Sequence, residues 1–157
     1  MLQLQEYFRE KVAPEAYDLF AVFQRFEYAL KKSGFRQDRK PDASWRKFAD
    51  ALPPDFFDRM RASEEADIYF KAPPDHLVIA GNGVDWSHSP DPVNTVTELF
   101  DSIRTARNNL FHGDKAHNNR RDRDLMIGAL FILNSAYETA GADPNFRHFV
   151  SEMEHGL

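Results

Sequence analysis

The sequence predicts an all-α protein, and three observations lead there. Segments 15–32, 95–112 and 122–140 each repeat apolar residues at three-to-four spacing. Each runs into a glycine, Gly34, Gly113 or Gly141, where a helical C-terminus favours one. Strand-like runs are confined to one short stretch in the middle. At 157 residues, 42% hydrophobic and with 14 Phe, the chain reads as one domain, 1–157, with enough apolar material for a core. That composition excludes general disorder.

Taken in order, residues 1–12 form a short first helix. Pro14 suits the first turn of the next, whose Leu19, Phe20, Phe23, Phe26 and Leu30 make a core-facing stripe. The stretch 38–93 holds most of the nine prolines and little periodicity. Within it, Asp42–Leu52 and Asp55–Ala62 read as short helices with N-caps. Ile68-Tyr69-Phe70 and Leu77-Val78-Ile79 have strand character, and Gly81-Asn82-Gly83 before Val84 and Trp86 reads as a hairpin turn. The expectation is an irregular insertion with a small β-hairpin and no core of its own.

Order then returns. Thr95-Val96-Thr97-Glu98 is a capping-box pattern, and Val96, Leu99, Phe100, Ile103, Ala106 and Leu110 continue it at helical spacing to Gly113. A polar loop leads to a helix over 122–140, and Asp143-Pro144 opens a short last one. The 122–140 helix is apolar on two sides, with Leu125, Ala129, Leu133 and Ala136 on one and Ile127 and Phe131 on the other. Either a second copy covers the latter side, giving a homodimer, or the 38–93 insertion folds over it; the homodimer is the favoured reading.

Two charges fall on apolar faces. Arg107 lies inside the stripe of the 95–112 helix, and Glu27 lies between Phe20 and Phe23 on the first long helix. A charge on a core face costs several kcal/mol unless paired, so the two helices are expected to pack with Glu27 near Arg107. Such a pair either fixes register or orients an Arg at a polar cleft.

Composition narrows the chemistry. With no Cys, disulfides, thiolate nucleophiles and Cys-based metal sites are excluded. The longest apolar run, Leu125 to Leu133, is too short to cross a bilayer. The N-terminal Met-Leu-Gln-Leu-Gln-Glu lacks the basic and apolar regions of a secretory signal, so a cytoplasmic location is expected. The net charge of −5 is unevenly spread. Residues 31–47 hold seven basic side chains against Asp38 and Asp42, and 101–124 hold six against four, whereas 48–100 hold three basic and ten acidic. Local fields can therefore attract phosphates on an acidic protein.

His112, Asp114 and His117 are poorly spaced for a metal, and no cofactor is expected. His76, His88, His148 and His155 read as surface or packing residues. Trp45 and Trp86 could stack on bases, but packing roles are the stronger reading.

The string Arg107-Asn108-Asn109-Leu110-Phe111-His112-Gly113 changes the weight of these observations. An Arg followed by a polar residue, with a His five positions on at a helix end, resembles the motif of the HEPN superfamily. The whole string looks most like its Apea-like branch. The resemblance covers 15–32 and 94–140 and leaves 38–93 and the last fifteen residues unexplained. It implies an up-and-down bundle of four to five helices, often dimeric. It also implies a metal-independent endoribonuclease of the kind found in toxin–antitoxin, defence or stress systems, with RNA and an antitoxin or neighbour-encoded protein as partners. Other members of the superfamily lack the motif and serve as binding or scaffolding modules.

On this resemblance Arg107, His112, Asn108 and the more variable Glu27 are the catalytic candidates. Arg104, Lys115, Arg120 and Arg121 are candidates for contacting the nucleic acid. The chemistry is compatible: histidine acts as general base or acid near neutral pH, and a guanidinium binds two phosphate oxygens with its planar fork. Asn108 could bond a phosphate or orient His112, four residues on. Residues five apart on a helix differ by about 140°. Arg107 and His112 therefore converge only if the helix unwinds near Phe111, or if two motifs meet across a dimer.

Overall fold

The structure, a computed structural model, describes residues 3–113 and 119–155. Its longest elements are the three helices expected from periodicity: α2 (Pro14–Lys32), α6 (Val96–Phe111) and α7 (Arg120–Gly141). Before them comes α1 (Leu4–Arg9), and between them α3 (Trp45–Ala51), α4 (Phe56–Ala62), α5 (Ile68–Lys71) and a hairpin of β1 (Leu77–Ala80) and β2 (Gly83–Trp86). A 3-10 turn at Pro144–Phe146 leads into α8 (Arg147–Glu154). The fold is thus helical with one small antiparallel sheet. Among the described residues no single helix is long and apolar enough to cross a membrane.

Local chemistry sets the boundaries. Pro14 opens α2, and Gly34 follows it at φ +94°, a conformation that glycine adopts without a Cβ penalty. Thr95 caps α6 by accepting the Glu98 N–H at 3.1 Å, and the Glu98 carboxylate accepts the Asn94 N–H at 2.7 Å. At the start of α7, Asn119 and Asp122 bond reciprocally: the Asn119 side chain accepts the Asp122 N–H and donates to its carboxylate, both at 2.7 Å. In the hairpin Ala80 pairs with Gly83 across Gly81-Asn82, and Gly81 has φ +60°. A positive φ at the first central position is the type II′ pattern.

The core is one cluster, to which every helix from α2 to α8 contributes buried residues. At its centre Trp45 stacks on Phe23 and Phe26, with centroids 5.1 and 5.6 Å apart, and touches Phe100 at 5.3 Å. Phe48, Phe146 and Phe149 extend the cluster toward α8.

Several expectations change here. The 38–93 stretch is no appendage: Trp45, Phe48, Leu52, Phe56, Met60 and Tyr69 are all buried in the same cluster as the long helices. The helix expected from Asp42 begins at Trp45, because Ser44 takes the capping role, its hydroxyl accepting the Lys47 N–H at 3.2 Å. The Asp42 carbonyl is already engaged by the Gln37 N–H at 2.9 Å. Ile68-Tyr69-Phe70 is helical rather than extended. A run this short has no decisive periodicity, and here Tyr69 turns inward to donate its hydroxyl to the Leu125 carbonyl at 2.6 Å. Phe20, assigned to the core stripe, is 49% exposed, since no element among the described residues covers that side of α2.

Of the two readings of the two-sided α7, the structure bears on the one in which the insertion folds over it. Segment 64–71 folds over α7, where Gly128 admits it: a Cβ there would lie 3.0 Å from the Glu65 carbonyl oxygen and 3.1 Å from the Tyr69 ring. Ile127 nonetheless stays exposed. Overpacking a close backbone approach costs about 1–3 kcal/mol. Gly128→Ala is expected to lower the unfolding free energy by that amount in urea titration; an unchanged midpoint would mean that segment 64–71 is not seated on α7.

Candidate functional site

The site is built from the last two turns of α6. Arg107 is half-buried, and its guanidinium Cζ lies 5.2 Å from the Phe23 ring centroid and 5.3 Å from that of Phe111. Its Nη1 donates to Asn108 Oδ1 at 2.8 Å. Cation–π contacts of this kind contribute about 0.5–2 kcal/mol each, enough to hold the group in place without neutralising its charge.

α2 and α6 do pack together, but the expected Glu27–Arg107 pair does not form among the described residues. Glu27 instead accepts the indole N–H of Trp45 at 2.9 Å. Trp45, wedged against Phe23 and Phe26, presents its only polar atom to the α2 surface, and Glu27 satisfies it. Trp45 is therefore a packing residue, 4% exposed, and Glu27 serves it.

Asn108 also differs from expectation. It bonds Arg107, its neighbour, rather than orienting His112. His112 is exposed as the C-cap of α6, its N–H still bonded to the Asn108 carbonyl at 2.9 Å, with its ring edge-on to Phe111 at 6.0 Å. The helix therefore stays regular through Phe111, and the unwinding that would bring Arg107 and His112 together within one chain does not occur. Gly113 follows at φ +79°, a conformation that favours glycine.

The four basic candidates separate. Arg121 has its Nη1 and Nη2 donating to the Ala72 and Pro73 carbonyls, each at 3.0 Å, which ties it to the backbone of that segment. Arg104 lies 3.7 Å from Asp101, and Arg120 is 96% exposed with Asp124 at 4.0 Å. Lys115 lies outside the described residues, as do Asp114 and His117. His76, read as a surface or packing residue, has its Nε2 2.8 Å from Asp91.

Sequence reasoning missed Asn109, which is buried and donates to the Asp75 carbonyl at 2.8 Å. With Arg121 it pins segment 72–75 across the ends of α6 and α7. The available signal was its place about 60° from Ala106 on the α6 wheel, at the edge of the apolar stripe.

It also missed a groove. Val12, Ala16, Tyr17, Leu19 and Phe20 face Leu110 and Phe111 across about 320 Å³ of nearly apolar space, with Arg107 on its wall. A second cleft, about 310 Å³, lies along the opposite half of α6 and is lined by Asp91, Glu98, Asp101 and His76. One helix thus presents carboxylates near its start and, near its end, a cation with no carboxylate partner among the described residues. Among the described residues no cluster of His and carboxylates could hold a metal ion. No family model, curated protein or solved structure matches the chain.

The account of Glu27 makes a stability prediction. Glu27→Leu strands a buried indole donor and is expected to cost about 1–3 kcal/mol in thermal melts. Glu27→Gln keeps an acceptor and is expected to cost clearly less. Equal losses would show that the charge of Glu27, and not its bond to Trp45, is what matters.

Proposed function

We propose that the protein is a HEPN-type, metal-independent endoribonuclease that works as a homodimer in the cytoplasm, in a toxin–antitoxin, defence or stress setting. The observation that carries this is Arg107: a half-buried guanidinium held by two rings and Asn108, with no carboxylate partner among the described residues. An Arg so fixed and so unneutralised is suited to an anion, and its planar fork fits a phosphate.

In this reading the 2′-hydroxyl of RNA attacks the adjacent phosphorus, and His112 takes its proton. Arg107 stabilises the charge that develops on the phosphate oxygens. The P–O5′ bond breaks, the 5′-oxygen takes a proton from solvent while His112 returns its own to solvent, and a 2′,3′-cyclic phosphate remains. The divergence of Arg107 and His112 along one helix favours a centre assembled from two facing motifs. The same divergence is what favours the second reading, a HEPN-like module that binds RNA or a protein without cutting.

Cleavage of mixed RNA in excess chelator separates the two. Wild-type protein is expected to cut, with His112→Ala slower by about 10²–10⁴-fold and Arg107→Ala by about 10²–10³-fold. Folded protein that leaves RNA intact, or variants that cut as well as wild type, would refute the catalytic assignment.

A further inference from the structure

The groove beside Arg107 has a composition that phosphate binding alone does not account for. Tyr17 and Phe20 on α2 and Phe111 on α6 are 50%, 49% and 66% exposed, all around one open, nearly apolar hollow. Ala16 and Leu110, both partly buried, also line it. A ligand that fits must be anionic where it meets Arg107 and flat and apolar immediately beside it.

A nucleotide of an unpaired strand has that shape, with a phosphate joined through one sugar to an aromatic base. We infer that this groove seats a nucleobase of single-stranded RNA next to the phosphate held by Arg107, with Tyr17, Phe20 and Phe111 as the stacking surfaces. The inference rests on the reading of Arg107 as a phosphate ligand. Because the groove offers almost no polar atoms besides Arg107, it reads the face of a base and not its hydrogen-bonding edge. It therefore tolerates any base and excludes duplex RNA, whose bases are stacked on each other.

The test uses the full chain in chelator with a fluorescently labelled 2′-O-methyl oligoribonucleotide, which lacks the attacking hydroxyl. Its counterpart is an abasic strand of the same backbone and length. Stacking on one aromatic side chain corresponds to about 5- to 150-fold in affinity. Phe20→Ala and Tyr17→Ala, at half-exposed positions, are each expected to weaken the base-containing strand by that range and to leave the abasic strand unchanged. Circular dichroism checks that both variants keep the wild-type fold.

Equal weakening of both strands, or of neither, would overturn the inference. So would variants that lose self-association with no selective loss of RNA, since the groove would then be an interface between copies. The nuclease reading stands or falls separately. Cutting without base selectivity would sink only the groove, and base selectivity without cutting would sink only the catalytic assignment.

Discussion

Trp45 enters the core between α2 and α6 and stacks on Phe23 and Phe26, and the chemistry at the end of α6 follows from that wedge. The indole brings one polar atom into a site that is otherwise apolar. Leaving that N–H unsatisfied would cost about 1–3 kcal/mol, so it takes the nearest carboxylate on α2, Glu27. Phe23, stacked with Trp45, also contacts the Arg107 guanidinium. One aromatic contact sequence therefore runs from the middle of the core to the candidate site.

The consequence is electrostatic. Arg107 sits on an apolar face of its helix, where an ion pair with Glu27 is the economical expectation. With Glu27 engaged by Trp45, the guanidinium is steadied by rings and by the Asn108 amide, none of which carries a negative charge. Two cation–π contacts of about 0.5–2 kcal/mol each offset part of its desolvation, and the half-open groove keeps the remainder modest. Among the described residues, an incoming anion at Arg107 has no carboxylate to displace. At the other end of the same helix, Glu98 and Asp101 line a cleft that repels phosphates.

Much of the fold was legible because long helices carry strong local signals. Pro14, the Thr95 capping box and Gly34 and Gly113 mark four helix ends that the structure keeps. The short middle elements were harder for a physical reason. Ile68-Tyr69-Phe70 became helical through one long-range bond, from Tyr69 to Leu125, fifty-six residues away in sequence. Proline-rich sequence between the elements hid how much of 38–93 is core, since Trp45, Phe48, Phe56 and Tyr69 are too widely spaced to form a periodic pattern. In the site, helical wheels located Arg107 and Glu27 on inward faces but could not say which neighbour each would meet. Trp45 and Glu27 are eighteen residues apart and joined only by tertiary packing. The groove was invisible for a related reason: Phe20 belongs to an apolar stripe in sequence, and its half-exposure depends on what packs above it in the fold.

The central claim is that Arg107 is a fixed cation whose charge is left for an external phosphate. The Nε–Hε resonance of Arg107 reports on it directly, assigned by comparison with Arg107→Lys and followed as 2′-O-methyl oligoribonucleotide is added in chelator. A saturable shift of that resonance, with the same midpoint as binding measured independently, is the predicted result. A strand that binds while the Arg107 resonance stays unmoved would contradict the account.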